Sequence, residues 1–81
     1  MTPLKLRILK LLAERGPMRD VELWQHTTEL SIKDVTVACF ALKDDGYIEN
    51  PPGRRPVQFE FQLTAKGREE HAARLQEKAN A

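Results

Sequence analysis

Arg54 and Arg55 follow Gly53 inside a segment punctuated by Pro51, Pro52 and Pro56. Two guanidinium groups on such a turn have two readings: a solvated bend, as many adjacent charges are, or a cationic tip that meets nucleic-acid backbone or minor groove. Other residues able to do chemistry are few. Cys39 is the single cysteine, so no internal disulfide and no cysteine-rich zinc site can form. Its spacing with Val35 and Leu42 places it on an apolar helical stripe, and a buried structural thiol is expected rather than a redox sensor. His26 near Glu29 and His71 near Glu70 lack a third ligand at useful spacing, so neither a metal nor a cofactor is expected. The acidic neighbours Asp44 with Asp45 and Glu69 with Glu70 point different ways on a helix, and no nucleophile and base accompany them. The chemistry on offer is binding, and an enzyme is not expected.

The chain that must position these residues is short. With 81 residues it has room for one domain, and a chain of this size buries only about 60% of the surface its unfolded form exposes. That argues against a deep catalytic cleft. Hydrophobic residues at 41% and charged residues at 31% fit a soluble globular protein. No apolar run approaches the ~18 residues needed to span a bilayer. The N-terminus interleaves Lys5, Arg7 and Lys10 with Leu and Ile and does not read as a signal peptide, so the cytoplasm is the expected location. The net charge of +1 conceals a pattern: residues 1–19 carry +4, residues 20–49 carry −5 and residues 50–81 carry +2.

Local signals divide the chain into elements. Thr2 before Pro3 caps a first helix whose Leu4, Ile8, Leu11 and Leu12 recur at helical spacing, widened by Leu9, until Gly16 and Pro17 end it. Met18 is the place for a minimal first strand, and residues 20–26 read as a short second helix with Asp20 and Glu22 favoured at its start by the helix dipole. Residues 27–30 form a turn. Ser31 with Asp34 starts a third helix, residues 31–45, with Val35, Ala38, Cys39 and Leu42 on its buried face and Gly46 at its end. Strands are expected at residues 47–50 and 57–63, because Val57, Phe59, Phe61 and Leu63 alternate with Gln58, Glu60 and Gln62, which places both phenylalanines on the core face. Thr64 caps a fourth helix, whose Ala72, Leu75 and Ala79 form only a thin apolar stripe and so offer a partner surface. Trp24, at the junction of the second and third helices, is expected to pack in or beside the core rather than to stack on a base.

In this order of elements the segments Leu42, Lys43, Asp44, Asp45, Gly46, Tyr47, Ile48 and Leu63, Thr64, Ala65, Lys66, Gly67 stand at the two ends of the hairpin. Over residues 4–70 the chain resembles the winged-helix transcription regulators, with MarR-like and PadR-like members most similar. The resemblance implies an α+β, mainly α domain: a winged helix-turn-helix with a three-helix core, a β-hairpin wing over about residues 47–63 and a C-terminal helix over about residues 64–79. It implies a bacterial or phage transcriptional regulator that binds double-stranded DNA, with the third helix in the major groove and the wing tip against the minor groove or backbone. Carried onto this sequence, the base-facing positions are Ser31, Lys33, Asp34, Thr36, Val37, Phe40 and Ala41. Lys43 would touch phosphate, and Gly53, Arg54 and Arg55 would form the wing tip. A homodimer through the fourth or first helix is expected, since one half-site offers few phosphate contacts.

A second reading stays open. Residues 20–49 are acidic, whereas DNA affinity comes chiefly from cations meeting phosphates. Val37, Phe40 and Ala41 stand where related helices carry polar base readers. Phe40 could read a thymine methyl, or Val37 and Phe40 could anchor a protein partner, making the domain a protein–protein interaction module.

Overall fold

In the computed structural model, residues 1–27, 31–52 and 59–80 are described, and the side chains of residues 77–80 fall outside that description. The elements are α1 (Pro3–Arg15), β1 (Met18–Arg19), α2 (Asp20–Gln25), α3 (Ile32–Asp44), β2 (Ile48–Glu49), β3 (Glu60–Leu63) and α4 (Ala65–Asn80). This is the mainly α winged helix-turn-helix that the sequence implied.

Helix starts follow their caps. The Thr2 hydroxyl accepts from the Lys5 amide at 3.3 Å, and the Glu22 carboxylate reaches back to the Arg19 amide at 3.2 Å, satisfying donors that helix geometry leaves open. The Ser31 hydroxyl accepts from the Asp34 amide at 3.3 Å and donates to the Asp34 carboxylate at 3.0 Å. Thr64 begins α4, its hydroxyl accepting from the Gly67 amide at 3.1 Å.

The three strands form one antiparallel sheet in the order β1-β3-β2. Met18 pairs with Phe61 and Ile48 with Leu63, so the inward residues of all three strands meet on one face. That face closes over Ile8, Leu9, Leu11 and Leu12 of α1, Leu23 of α2, and Val35, Ala38, Cys39 and Leu42 of α3. Phe61 is the largest fully buried side chain and sits where sheet and helices converge.

One expectation needs correction here. Strand β3 begins at Glu60 rather than before Phe59, which lies in a turn and is 38% exposed. The Phe59 carbonyl instead accepts from the Asp20 amide at 2.9 Å, where β1 passes into α2. Trp24 lies beside the core at 37% exposure, next to Leu23, which takes the fully buried position on this short helix. Residues 28–30 of the expected turn, and Val57 of the expected strand, lie outside the described residues.

Candidate nucleic-acid interface

The geometry of α3 is set at its C-terminus by the two signature segments, which dock on each other. Helix α3 ends in a Schellman arrangement: Gly46, at φ 83°, donates to the Lys43 carbonyl at 3.0 Å, and Tyr47 donates to the Leu42 carbonyl at 3.0 Å. Carbonyls left open beyond that point are taken by the start of α4. The Thr64 hydroxyl donates to the Gly46 carbonyl at 2.6 Å, the Thr64 amide donates to the Tyr47 carbonyl at 3.1 Å, and Lys66 Nζ donates to the Asp45 carbonyl at 2.6 Å. Lys66 Nζ also stands 4.5 Å from the centre of the Tyr47 ring, a cation–π contact. Gly67 is needed for the approach itself, since a Cβ there would collide with the Tyr47 carbonyl.

The wing base is tied to the same helix. Lys43 Nζ donates to Asn50 Oδ1 at 2.6 Å, and Asn50 Nδ2 donates to the Glu60 carbonyl at 2.9 Å, so a chain of hydrogen bonds runs from α3 through the end of β2 to β3. Gln62 and Glu49 add a cross-strand hydrogen bond at 3.0 Å. Lys43 remains exposed, at the foot of the wing.

Along α3 the sequence-derived positions separate into two groups. Ser31, Lys33, Asp34 and Val37 are exposed, and Val37, at 59%, is the most open of the large apolar side chains among the described residues. Thr36 is half-buried. Its hydroxyl lies 2.9 Å from the Ile32 carbonyl and 3.2 Å from Asp20 Oδ2, so it fastens α2 to α3 rather than facing outward. Phe40 is likewise turned under: it packs on the core, edge-on to Phe61 at 6.1 Å and to Phe59 at 6.0 Å between ring centres. Phe40 thus braces α3 against β3 while remaining only partly buried. Ala41 is also half-buried. Gly53, Arg54 and Arg55, the expected wing tip, lie outside the described residues.

Ile32 is a residue that sequence reasoning passes over. It opens α3 beside Lys33 and is 40% exposed. Its register with Val35 and Cys39 mimics a core position, but in the first turn it is only partly covered.

Electrostatics leave the interior inert. Burial, with a smaller contribution from the nearby Asp20 carboxylate, pushes the Cys39 thiol up from 9.0 to about 12, so it stays protonated and unreactive in the fold. Among the described residues no three His, Cys, Asp or Glu side chains gather as metal ligands. No helix among the described residues is long and apolar enough to cross a membrane.

Solved structures share this architecture. A transcriptional regulator from Thermotoga maritima superposes with a TM-score of 0.70 at 29% identity, over 96% of this chain and 59% of its own. A MarR family regulator from Neisseria meningitidis gives 0.73 at 25% identity, over 99% of this chain and 56% of its own. A MepR-like protein complexed with pseudoligands gives 0.70 at 25% identity, over 99% of this chain and 68% of its own. This chain thus spans under three-fifths of the length of the first two, 59% and 56%. No family model and no curated protein matches the sequence.

Proposed function

Since the chain has the MarR-like winged helix-turn-helix fold of transcriptional regulators, we propose that it is itself a DNA-binding transcriptional regulator of bacterial or phage type, acting in the cytoplasm. The observation that carries this reading is the open face of α3. Lys33 and Val37 are exposed one helical turn apart, on a helix whose far end is locked to α4 and whose flank is tied to the wing base. A helix held that rigidly can be presented to a groove with its register fixed, as helix-turn-helix docking requires.

In this reading the N-terminal half of α3 enters the major groove and Lys33 reaches base edges. Lys43 meets a phosphate at the foot of the wing, and Arg54 with Arg55 straddles the neighbouring minor groove. Such contacts divide labour: the cations position the protein and α3 specifies sequence. Three phosphate contacts on one protomer are few, and a homodimer doubles them. Helix α4 packs along α1 and leaves Leu75 exposed, which supports pairing through these helices.

The exposed Val37 and the acidic charge of residues 20–49 also fit a protein-binding module. The packing of Phe40 against Phe59 and Phe61 leaves the larger of its two anchors half-buried, which supports the DNA reading. Selection from a random-sequence duplex pool tests the choice. A regulator enriches an inverted repeat with half-sites about 10 bp apart, centre to centre, or a multiple of that spacing. A pool that stays random through successive rounds would sink the proposal.

A further inference from the structure

Helix α3 contains no Arg, Asn or Gln, the side chains that most readily make paired hydrogen bonds to base edges. Its remaining hydrogen-bonding groups are mostly engaged. The Thr36 hydroxyl is held by Ile32 and Asp20, Lys43 Nζ by Asn50, and Asp34 by the Ser31 cap. Lys33 is exposed and starts the helix, but one flexible ammonium fixes little sequence by itself.

What flanks Lys33 is apolar. Ile32 precedes it in the first turn, and Val37 follows one turn later on the same side as Lys33. Neither residue is there for the helix: both are β-branched and helix-indifferent. At 40% and 59% exposure, each keeps a large apolar area open at the surface. In the major groove there is one apolar group for such side chains to find, the 5-methyl of thymine, and aliphatic contact with it distinguishes T from C as well as from the purines.

We infer that Ile32 and Val37 are specificity-determining residues that read thymine methyl groups on either side of the base contacted by Lys33. The half-site therefore contains thymines in the major-groove register of α3, on either side of the base that Lys33 contacts. The inference rests on the DNA-binding reading above and assigns that same face its bases.

Replacing thymine by uracil removes the methyl and nothing else, which makes the test chemical. The duplex selected from the random pool is resynthesised with uracil at each thymine in turn, and affinity is measured for the full chain and for Val37→Ala and Ile32→Ala. Both substitutions fall on exposed sites, and thermal melts verify that the variants fold. Loss of one buried methyl contact lowers affinity by about fourfold. The wild-type chain is expected to lose that factor at one uracil position per half-site for each side chain. Val37→Ala should be insensitive at its own position while keeping the response at the position read by Ile32, the non-additivity of a direct contact. Equal affinity for thymine and uracil duplexes at every position, with binding intact, would overturn the methyl readout and leave DNA binding standing. Absence of binding to any duplex would overturn both.

Discussion

Gly67 is the residue where a minimal change has the largest predicted consequence. It occupies the third position of α4, and in an unconstrained helix replacing glycine by alanine stabilises by about 1 kcal/mol. Here the added Cβ would run into the Tyr47 carbonyl oxygen, with the Tyr47 carbonyl carbon at 3.0 Å and Leu63 Cδ2 at 3.1 Å. Backbone cannot swing aside as a side chain does, so the first turn of α4 must retreat. That retreat stretches three hydrogen bonds: Thr64 to Tyr47, Thr64 to Gly46 and Lys66 to Asp45. At about 1 kcal/mol each, with overpacking of about 1–3 kcal/mol, the loss exceeds the helical gain and leaves a net destabilisation of about 3–5 kcal/mol. For a domain of this size each kcal/mol lowers the melting temperature by roughly 4–8 °C, so the variant should melt at least about 12 °C lower or fail to fold. Gly16→Ala is the control. Gly16 has φ 80° and ψ −159°, but a Cβ at that position would meet nothing within 4 Å, so only its backbone conformation is penalised, by about 1–3 kcal/mol. Circular dichroism melts and urea titrations of the two variants decide. Gly67→Ala as stable as the parent, or more stable than Gly16→Ala, would refute the argument that this contact holds α4 against the end of α3.

Phe40→Asp should destabilise the fold by about 2 kcal/mol or more, because it sets a carboxylate between Phe59 and Phe61; a variant that melts like the parent would restore Phe40 to the outer face. The Cys39 thiol is raised from 9.0 to about 12 by burial, so its neutral form is the one the fold favours. Its contribution to stability is whole below pH 9, declines as pH rises toward about 12, and iodoacetamide should label it at about pH 8 only when urea unfolds the chain. Labelling of the native protein at the rate of a free thiol would contradict this. Arg54→Ala with Arg55→Ala should weaken binding to all DNA sequences alike and reduce the salt slope by about 2 per protomer, each lost phosphate contact removing about 0.9; an unchanged slope would remove both arginines from the phosphate backbone.

Much of this architecture is legible from local sequence because its causes are local. Thr2 with Pro3, Ser31 with Asp34, and Thr64 each start a helix through hydrogen bonds that span only three residues. The apolar stripe of Val35, Ala38, Cys39 and Leu42 is buried as its period requires. The segments around Gly46 and Gly67 mark the fold by their spacing, and the structure supplies the reason: one is the receptor for the other. Legibility ends where a partner is distant. Thr36 and Phe40 fall on the outer side of α3 by periodicity, yet Asp20 draws in the first and Phe59 and Phe61 draw in the second. Ile32 fails in the opposite sense, in core register but 40% exposed at a helix end. Trp24 packs beside the core, since the fully buried position on the short α2 is taken by Leu23.

The most direct test of DNA binding is fluorescence anisotropy on a random-sequence duplex as salt is raised from low to moderate concentration. If Lys43, Arg54 and Arg55 each meet a phosphate on both protomers of a dimer, the logarithm of the association constant should fall against the logarithm of salt with a slope of about −5. Affinity that is measurable at about 50 mM salt and collapses along that line places the protein on DNA. An absence of binding at about 50 mM salt, where phosphate attraction is strong, would contradict the account and make the acidic surface of residues 20–49 a site for a protein partner.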